Sequence, residues 1–453
     1  MADLLYGSPT ALRAEQDRRL RHMVELLAAG HPAYRRRWRE LGLVPGDIRG
    51  VDDLERLPLT DKQGYMAAPE EYRLDLADLP LPERILWDVV YTTGTTTGRP
   101  TPFYQTTYDH YNILELQRRM AAVRGMYSSD IIANLYPLTS QPHGAFLRTN
   151  YAALALGAQL VAGFSGNSFG AYPVHRHLDE VVELVARCGA TVLWGVPSYL
   201  RRVVMRAGEL GVSLPAVRFC AVSGEPLSES LRADLKQRLV ALGARDPVVN
   251  NSLGATEMQG GLVECCEGSG FHNPAPDLFY LEAVDESGRR VPPGQPGLLA
   301  LTHLDRRGTV LLRYLTGDLV ILDEAPCPHC ARIGGRVVSQ PVRTGNLVKV
   351  RGMLVNTNLI GQVVAAHPAV AEYQVVLGRE DPSDPNSMDR LLLRLALSTG
   401  ERVDAAAVAA ELVDAVLGAV AVRPEIEFVP AEAIFDPQKQ MKPARLVDQR
   451  PEA

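Results

Sequence analysis

Tyr91-Thr92-Thr93-Gly94-Thr95-Thr96-Thr97-Gly98-Arg99-Pro100-Thr101 follows directly on the largely apolar run Ile85-Leu86-Trp87-Asp88-Val89-Val90. Six threonines and two glycines at the end of a strand-like run make a small, hydroxyl-rich loop. Such a loop suits phosphate, because Gly lets backbone N–H groups approach and Thr hydroxyls add donors. The Gly-Lys-Ser/Thr ending of a P-loop is missing. Standing alone, the stretch reads as a polar turn; its meaning comes from what surrounds it.

Working outward, residues 11–29 carry Leu12, Leu20, Met23, Leu26 and Leu27 near helical spacing, and residues 31–41 continue as helix after a Gly-His-Pro break. From residue 80 to about 335, apolar β-like runs (131–135, 191–194, 217–222, 248–249) alternate with amphipathic helices such as 177–188 and 228–242. That alternation predicts α/β layers. After residue 345 the pattern changes to strands 373–377 and 391–397, an Ala/Val/Leu-rich helix 403–417 and a strand 425–429, with 379–389 as a hairpin loop. We therefore expect a large α/β domain of layered sheets and helices over 1–343 and a small α+β domain over 344–453.

The chain has 453 residues, 46% hydrophobic and 22% charged, which is the composition of a globular protein. Its net charge of −6 gives no reason to expect nucleic acid or an anionic membrane as partner. Arg35-Arg36-Arg37 reads as a solvated helix face. No run is long and apolar enough for a membrane span, the first residues lack the apolar core of a signal peptide, and six cysteines are too few for a disulfide scaffold. A cytoplasmic location is the expectation.

Further pieces follow in order: Ser223-Gly224-Glu225-Pro226 after one strand, Asn251-Ser252-Leu253-Gly254-Ala255-Thr256-Glu257 after another, and Tyr314-Leu315-Thr316-Gly317-Asp318. Arg351-Gly352 opens the small domain and Lys442-Pro443-Ala444-Arg445 lies near its end. Together with His31-Pro32-Ala33-Tyr34 and Leu57-Pro58-Leu59-Thr60-Asp61-Lys62, this series resembles the adenylate-forming acyl-CoA synthetase superfamily, and within it the phenylacetate–CoA ligase family. The resemblance spans essentially the whole chain. It implies ATP and CoA as cosubstrates, Mg²⁺ as cofactor, a small carboxylic acid as substrate, a small C-terminal domain that acts as a mobile lid, and the homodimers that relatives often form.

Carried over residue by residue, the resemblance assigns Thr92, Thr93, Gly94, Thr95, Thr96, Thr97 and Gly98 to the departing phosphates. Glu257 would take Mg²⁺, with Thr256 beside it on the α-phosphate, and Asp318 the ribose hydroxyls. Ser223, Gly224, Glu225, Pro226, Ser252, Leu253 and Gly254 would wall the adenine, and Arg343 belongs with this ATP-binding group. Lys442 would stabilise the adenylation transition state when the lid closes, and Arg351 would meet CoA or ATP phosphates. Negative charge accumulates at the α-phosphorus during attack, so fixed donors and cations are what the reaction needs. The acid would lie among Tyr136, His143, Phe146 and Trp194.

Cys327-Pro328-His329-Cys330 is a C-x₂-C knuckle, and Cys265 and His272 flank a Gly/Ser turn upstream. Cys265, His272, Cys327 and Cys330 form a Cys₃His set suited to tetrahedral Zn²⁺, with no open position, hence structural. Some relatives carry zinc at matching positions. Cys266 and His329 could substitute for their neighbours, a redox dithiol is the rival, and Cys188 and Cys220 are expected in the core.

The chain departs from the family pattern at several points. Arg99 replaces a lysine in the phosphate loop, and Leu253 stands where a tyrosine is usual. Met441 and Pro443 flank the lysine in place of Gly and Ala. Arg343-Thr344-Gly345-Asn346 replaces Gly-Arg-x-Asp-Asp at the hinge, where Gly345 keeps the freedom to swivel. The resemblance leads us to expect adenylation of an aromatic or arylacetic acid with pyrophosphate release, then transfer to CoA. The altered hinge keeps another acceptor (an amine or carrier-protein thiol) or another acid such as nitrite in view, with a non-catalytic nucleotide sensor as a distant third.

Overall fold

The computed structural model describes residues 4–91, 101–137, 144–165, 175–344, 347–350, 353–380, 388–398, 404–420, 422–436 and 443–450. The helical spacing at the start becomes helix Pro9–Gly30, which buries Leu12, Leu20, Met23, Val24 and Leu27. His31 ends it and caps helix Pro32–Leu41, its ring Nδ1 accepting from the Tyr34 amide at 3.4 Å. Tyr34, Trp38, Tyr65, Tyr72 and Phe103 then pack with Leu311, Leu312 and Tyr314, so the N-terminal helices cover the region that carries Asp318.

The expected alternation builds a twelve-stranded sheet. Its parallel block runs Gln159–Ala162, Ile131–Asn134, Val192–Gly195, Phe219–Ser223, Val248–Ala255 across the sheet. The central strands Ile131–Asn134, Val192–Gly195 and Phe219–Ser223 are short and largely buried, as helix-covered parallel strands are, whereas the edge strand Gln159–Ala162 is partly exposed. Antiparallel strands Gly260–Val263, Phe271–His272, Arg336–Val337, Tyr314–Asp323, Pro296–His303 and Phe279–Val284 extend it. The main core lies between the parallel block and helices such as Leu178–Arg187, Pro197–Glu209 and Glu229–Ala241.

Two expectations need correction. Residues 251–255 are not a loop after a two-residue strand. They continue strand Val248–Ala255, because Ser252, Leu253, Gly254 and Ala255 pair with Val263, Leu262, Gly261 and Gly260 as a hairpin. Thr316-Gly317-Asp318 is likewise not a turn after a strand but the middle of the ten-residue strand Tyr314–Asp323. Gly317 takes φ +82° there, where the pairing with Pro296–His303 slips, so it serves as a bulge that only glycine adopts without strain.

Strand Val342–Arg343 pairs antiparallel with Asp318 and Leu319. Beyond it, Leu347–Val350 pairs with Met353–Asn356, and a four-stranded sheet follows in the order Glu425–Phe428, Asp389–Leu397, Val370–Arg379, Leu446–Asp448. Helices Thr357–Ala365 and Ala405–Val420 pack on it through Ile360, Val364, Val408, Leu412 and Val416. Among the described residues, no helix is long and apolar enough to cross a membrane. Cys220 is buried in the core as expected, whereas Cys188 is half-exposed at the end of helix Leu178–Arg187.

Candidate active site

The sequence-predicted residues that the structure describes gather at one end of the parallel block and on the bulged strand. Ser223 ends its strand beside Ser252, whose hydroxyl donates to the Val222 carbonyl at 2.9 Å. Gly224, at φ +88°, turns the chain so that Glu225 reaches helix Pro197–Glu209. There its carboxylate accepts from the Ser198 amide at 3.2 Å and the Ser198 hydroxyl at 3.0 Å, a helix N-terminus being a favourable place for an anion. Burial raises the Glu225 carboxyl above its ordinary range, against the pull of Arg445. Pro226 is exposed. Leu253 and Gly254 face Gly261, where a Cβ would meet the Leu253 carbonyl at 2.8 Å, so the hairpin closes only with glycine.

Thr256 and Glu257 form the turn Thr256–Met258 at the end of that strand. Glu257 is buried, and Tyr314 donates its phenol to Glu257 Oε1 at 2.7 Å. His303 sets the backbone of the same turn. The Leu311 amide donates to its Nδ1 at 3.0 Å, which leaves the proton on Nε2 to be given to the Glu257 carbonyl at 2.9 Å. Burial, with Arg306 nearby, pushes the His303 pKa down to about 3, so the ring is neutral as this pattern requires.

Asp318 is buried and pairs with Arg343 Nε at 3.0 Å, while Arg343 Nη1 donates to the Thr316 carbonyl at 2.6 Å. Burial raises the Asp318 carboxyl, with Arg343 opposing; Glu257 adds to the rise and Lys62 subtracts from it. Two carboxylates and two cations therefore share one field at this end of the sheet. Tyr136 is hydrogen-bonded to Ser223, and burial pushes its phenol up to about 12. Phe146 stacks at 6.3 Å from Phe164, and Trp194 lies under the Arg124 guanidinium. Phe146, Tyr136 and Trp194 thus line one apolar cluster.

Thr92, Thr93, Gly94, Thr95, Thr96, Thr97, Gly98, His143, Gly345, Asn346, Arg351 and Lys442 lie outside the described residues. Sequence reasoning gave no role to Tyr314, His303, Lys62 or Ser198. Tyr314 was legible: residues four apart on a strand share a face, so it had to lie with Asp318. His303 offered no signal, since its bond is to a backbone carbonyl.

The second constellation also assembles. Sγ of Cys265, Cys327 and Cys330 and the ring of His272 lie within 4.8 Å of one another. Cys265 Sγ is 4.0 Å from Cys327 Sγ, and Cys330 Sγ is 3.8 Å from His272 Nε2. A tetrahedron with zinc–sulfur bonds of ~2.3 Å has edges of ~3.8 Å, so this donor set fits Zn²⁺. The His329 amide points at Cys327 Sγ at 3.4 Å, as in a knuckle. Cys266 and His329 are exposed and stand outside the set.

The sequence profile of the AMP-binding enzyme family matches residues 57–303, more than half of the chain. A phenylacetate–coenzyme A ligase of Thermus thermophilus is 29% identical over 82% of this chain and 80% of that protein. The Escherichia coli K12 phenylacetate–coenzyme A ligase is 25% identical over 84% and 83%. Among solved structures, a 2-hydroxyisobutyryl-CoA ligase in the post-adenylation state with R3-HIB-AMP superposes with a TM-score of 0.81 at 22% identity, covering 99% of this chain and 91% of that one. The same ligase in the thioesterification state with 2-HIB-AMP and CoA gives 0.65 at 23% identity, covering 99% and 92%. These structures share the fold with its layered α/β body and smaller C-terminal unit. The chain belongs to the AMP-binding enzyme family, and its likeness to the phenylacetate–CoA ligases extends over most of its length.

Proposed function

We propose that this chain is an AMP-forming acid ligase: it adenylates a small aromatic or arylacetic carboxylic acid with ATP, releases pyrophosphate, and passes the acyl group to CoA. The observation that carries this reading is the burial of Glu257 and Asp318 in one part of the fold, Glu257 held by Tyr314 and Asp318 by Arg343. It stands in a chain whose relatives are named phenylacetate–coenzyme A ligases.

In the first half-reaction a carboxylate oxygen attacks the ATP α-phosphorus and the bond to pyrophosphate breaks. In the second, the CoA thiolate attacks the acyl carbonyl and AMP leaves. Asp318 would accept the ribose hydroxyls, releasing part of its bond to Arg343. Tyr314, by donating to one oxygen of Glu257, leaves the other oxygen for the ion. Mg²⁺ held by Glu257 would neutralise phosphate charge. Thr256 lies beside that carboxylate, and Ser223 and Ser252, paired in register, would border the adenine. Tyr136 would fix the acid's reacting end against Ser223, with Phe146 and Trp194 along its side. The Thr92–Gly98 loop would hold the departing phosphates, Lys442 would supply the adenylation cation and Arg351 a later phosphate contact. Residues 344–453 would then act as the lid that exchanges them, with Gly345 and Asn346 at the hinge. Better superposition on the post-adenylation than on the thioesterification state of one ligase supports an arrangement suited to the first step. Cys265, His272, Cys327 and Cys330 would hold a structural Zn²⁺.

The test is ATP–pyrophosphate exchange against benzoates, arylacetates, cinnamates, aliphatic acids and nitrite. Exchange with a carboxylic acid, reduced on the order of 10²-fold or more in Lys442→Ala, is the expected result. A CoA thioester formed from the same acid completes it. ATP binding without exchange for any acid would overturn the enzyme reading in favour of a sensor.

A further inference from the structure

Arg124 is the last residue of helix Thr107–Arg124 and is only 4% exposed. Its guanidinium carbon lies 5.0 Å from the centre of the Trp194 ring. None of its three nitrogens has a hydrogen-bond partner among the described residues. The other deeply buried arginines are not like this: Arg232 holds Glu264, Arg307 holds Glu83, and Arg313 holds Glu282 and the Leu57 carbonyl. The acid whose charge reaches Arg124 is Glu264. Both its oxygens are already taken, by Arg232, the Asn251 amide and the Gly268 amide. Burial pulls the Arg124 pKa down to about 10, which still leaves it charged at neutral pH. The indole satisfies one face of the guanidinium; its in-plane N–H groups have nothing to donate to. A buried cation left in that condition is costly, and a fold retains one where a ligand completes it.

The surroundings identify the ligand. Pairing across the parallel block sets Asn134 beside Trp194, Trp194 beside Ala221 and Ala221 beside Asn250, so their side chains share one face of the sheet. Asn134 bonds to Asn150 and the Phe146 carbonyl of helix Gly144–Leu156, which shows which helices cover that face. Ala221, whose side chain is a single methyl group, separates Trp194 from Asn250 in that row. One end of this row meets Tyr136 and its bond to Ser223, where the reading above puts the carboxylate that reacts. Arg124 acts electrostatically on the same Tyr136 phenol.

We infer that the acid activated here is a dicarboxylic acid, whose second carboxylate is held by the in-plane N–H groups of Arg124 while the first meets the nucleotide. Arginine and carboxylate match as a two-bond pair, and the flat indole beneath the guanidinium fixes its plane. The inference rests on the adenylation reading and adds the substrate's second charge.

The experiment compares matched acids in ATP–pyrophosphate exchange: benzoate with isophthalate and terephthalate, phenylacetate with phenylenediacetate, butyrate with glutarate. The expected wild-type preference is for a diacid over its monoacid. In Arg124→Met that diacid should lose roughly 10- to 100-fold in kcat/KM, mainly through KM, the value of hydrogen bonds to a charged group, while monoacids are spared. Melting gives a second readout. The diacid should raise the Tm of the wild type but not of Arg124→Met, and the unliganded variant should melt no lower than wild type. Equal use of mono- and diacids, or equal loss of both in a variant that melts lower, overturns the inference and leaves adenylation standing. Exchange with no acid at all overturns both.

Discussion

His303 shows how one side chain ties stability to the candidate site. Its ring is held neutral by burial and by Arg306, with a pKa of about 3, and His31 is held at about 4 by burial. Both lie below the unfolded value near 6.5, so the unfolded chain binds more protons as pH falls. Their contribution to stability is therefore complete above about pH 7 and is lost on acidification through 6.5 towards 4. Urea unfolding between pH 7 and 5.5 should show stability falling with pH, each such histidine adding up to about one proton, or ~1.4 kcal/mol per pH unit, to the slope. His303→Gln should remove about one of those protons. Equal slopes in the two proteins would mean that His303 is not neutral in the fold. At this scale Asp318 and Glu257 could be singled out in the sequence as candidates, because few residue types can hold ribose or a divalent ion, and the structure buries both. Arg124 was not, because being unpaired is a property of the surroundings and not of the letter Arg.

Elements were legible where periodicity decided them and misread where pairing did. The helices over residues 11–29 and 228–242 appear as Pro9–Gly30 and Glu229–Ala241, since each shows its apolar stripe to the sequence. Strand Val248–Ala255 was read six residues short because its second half is polar and glycine-rich. The hairpin with Gly260–Val263, not composition, keeps it extended. The Cys₃His cluster was readable in its ligands but not in its span. Cys265 follows Gly260–Val263, His272 lies on Phe271–His272, and Cys327 and Cys330 sit between Tyr314–Asp323 and Arg336–Val337. A metal there would pin a stretch where the strands are only two residues long. Purified protein should contain one zinc per chain by elemental analysis, and a strong chelator should lower the Tm by more than about 5 °C, as loss of a few kcal/mol does. No metal, or no change in Tm on its removal, would reduce the cluster to free thiols.

Across the whole molecule, Arg445 and Phe435 are two places where the described residues of the C-terminal unit meet the body. Within the unit Arg445 bonds to Glu372 at 2.6 Å and to the Tyr373 carbonyl at 2.8 Å, and from there its charge reaches Glu225 on the large body. Arg202 of helix Pro197–Glu209 lies 5.7 Å from the ring of Phe435. A charge acting at a distance and a cation over a ring are contacts that open easily. Arg445→Ala should raise the rate of tryptic cleavage within residues 343–352 roughly several-fold at unchanged far-ultraviolet circular dichroism. An unchanged rate would place the hold elsewhere. The short pairing of Arg343 with Asp318 has a mechanical meaning. A door moves least beside its hinge pin, and any turn of the small unit about the peptides after Arg343 has its pin laced by backbone bonds to the strand that carries Asp318. Atoms near that axis stay almost still while those at the far rim travel a long arc. The nucleoside end of a bound adenylate would thus ride at the still centre of the swing, and the distant tail of the small unit would do the travelling.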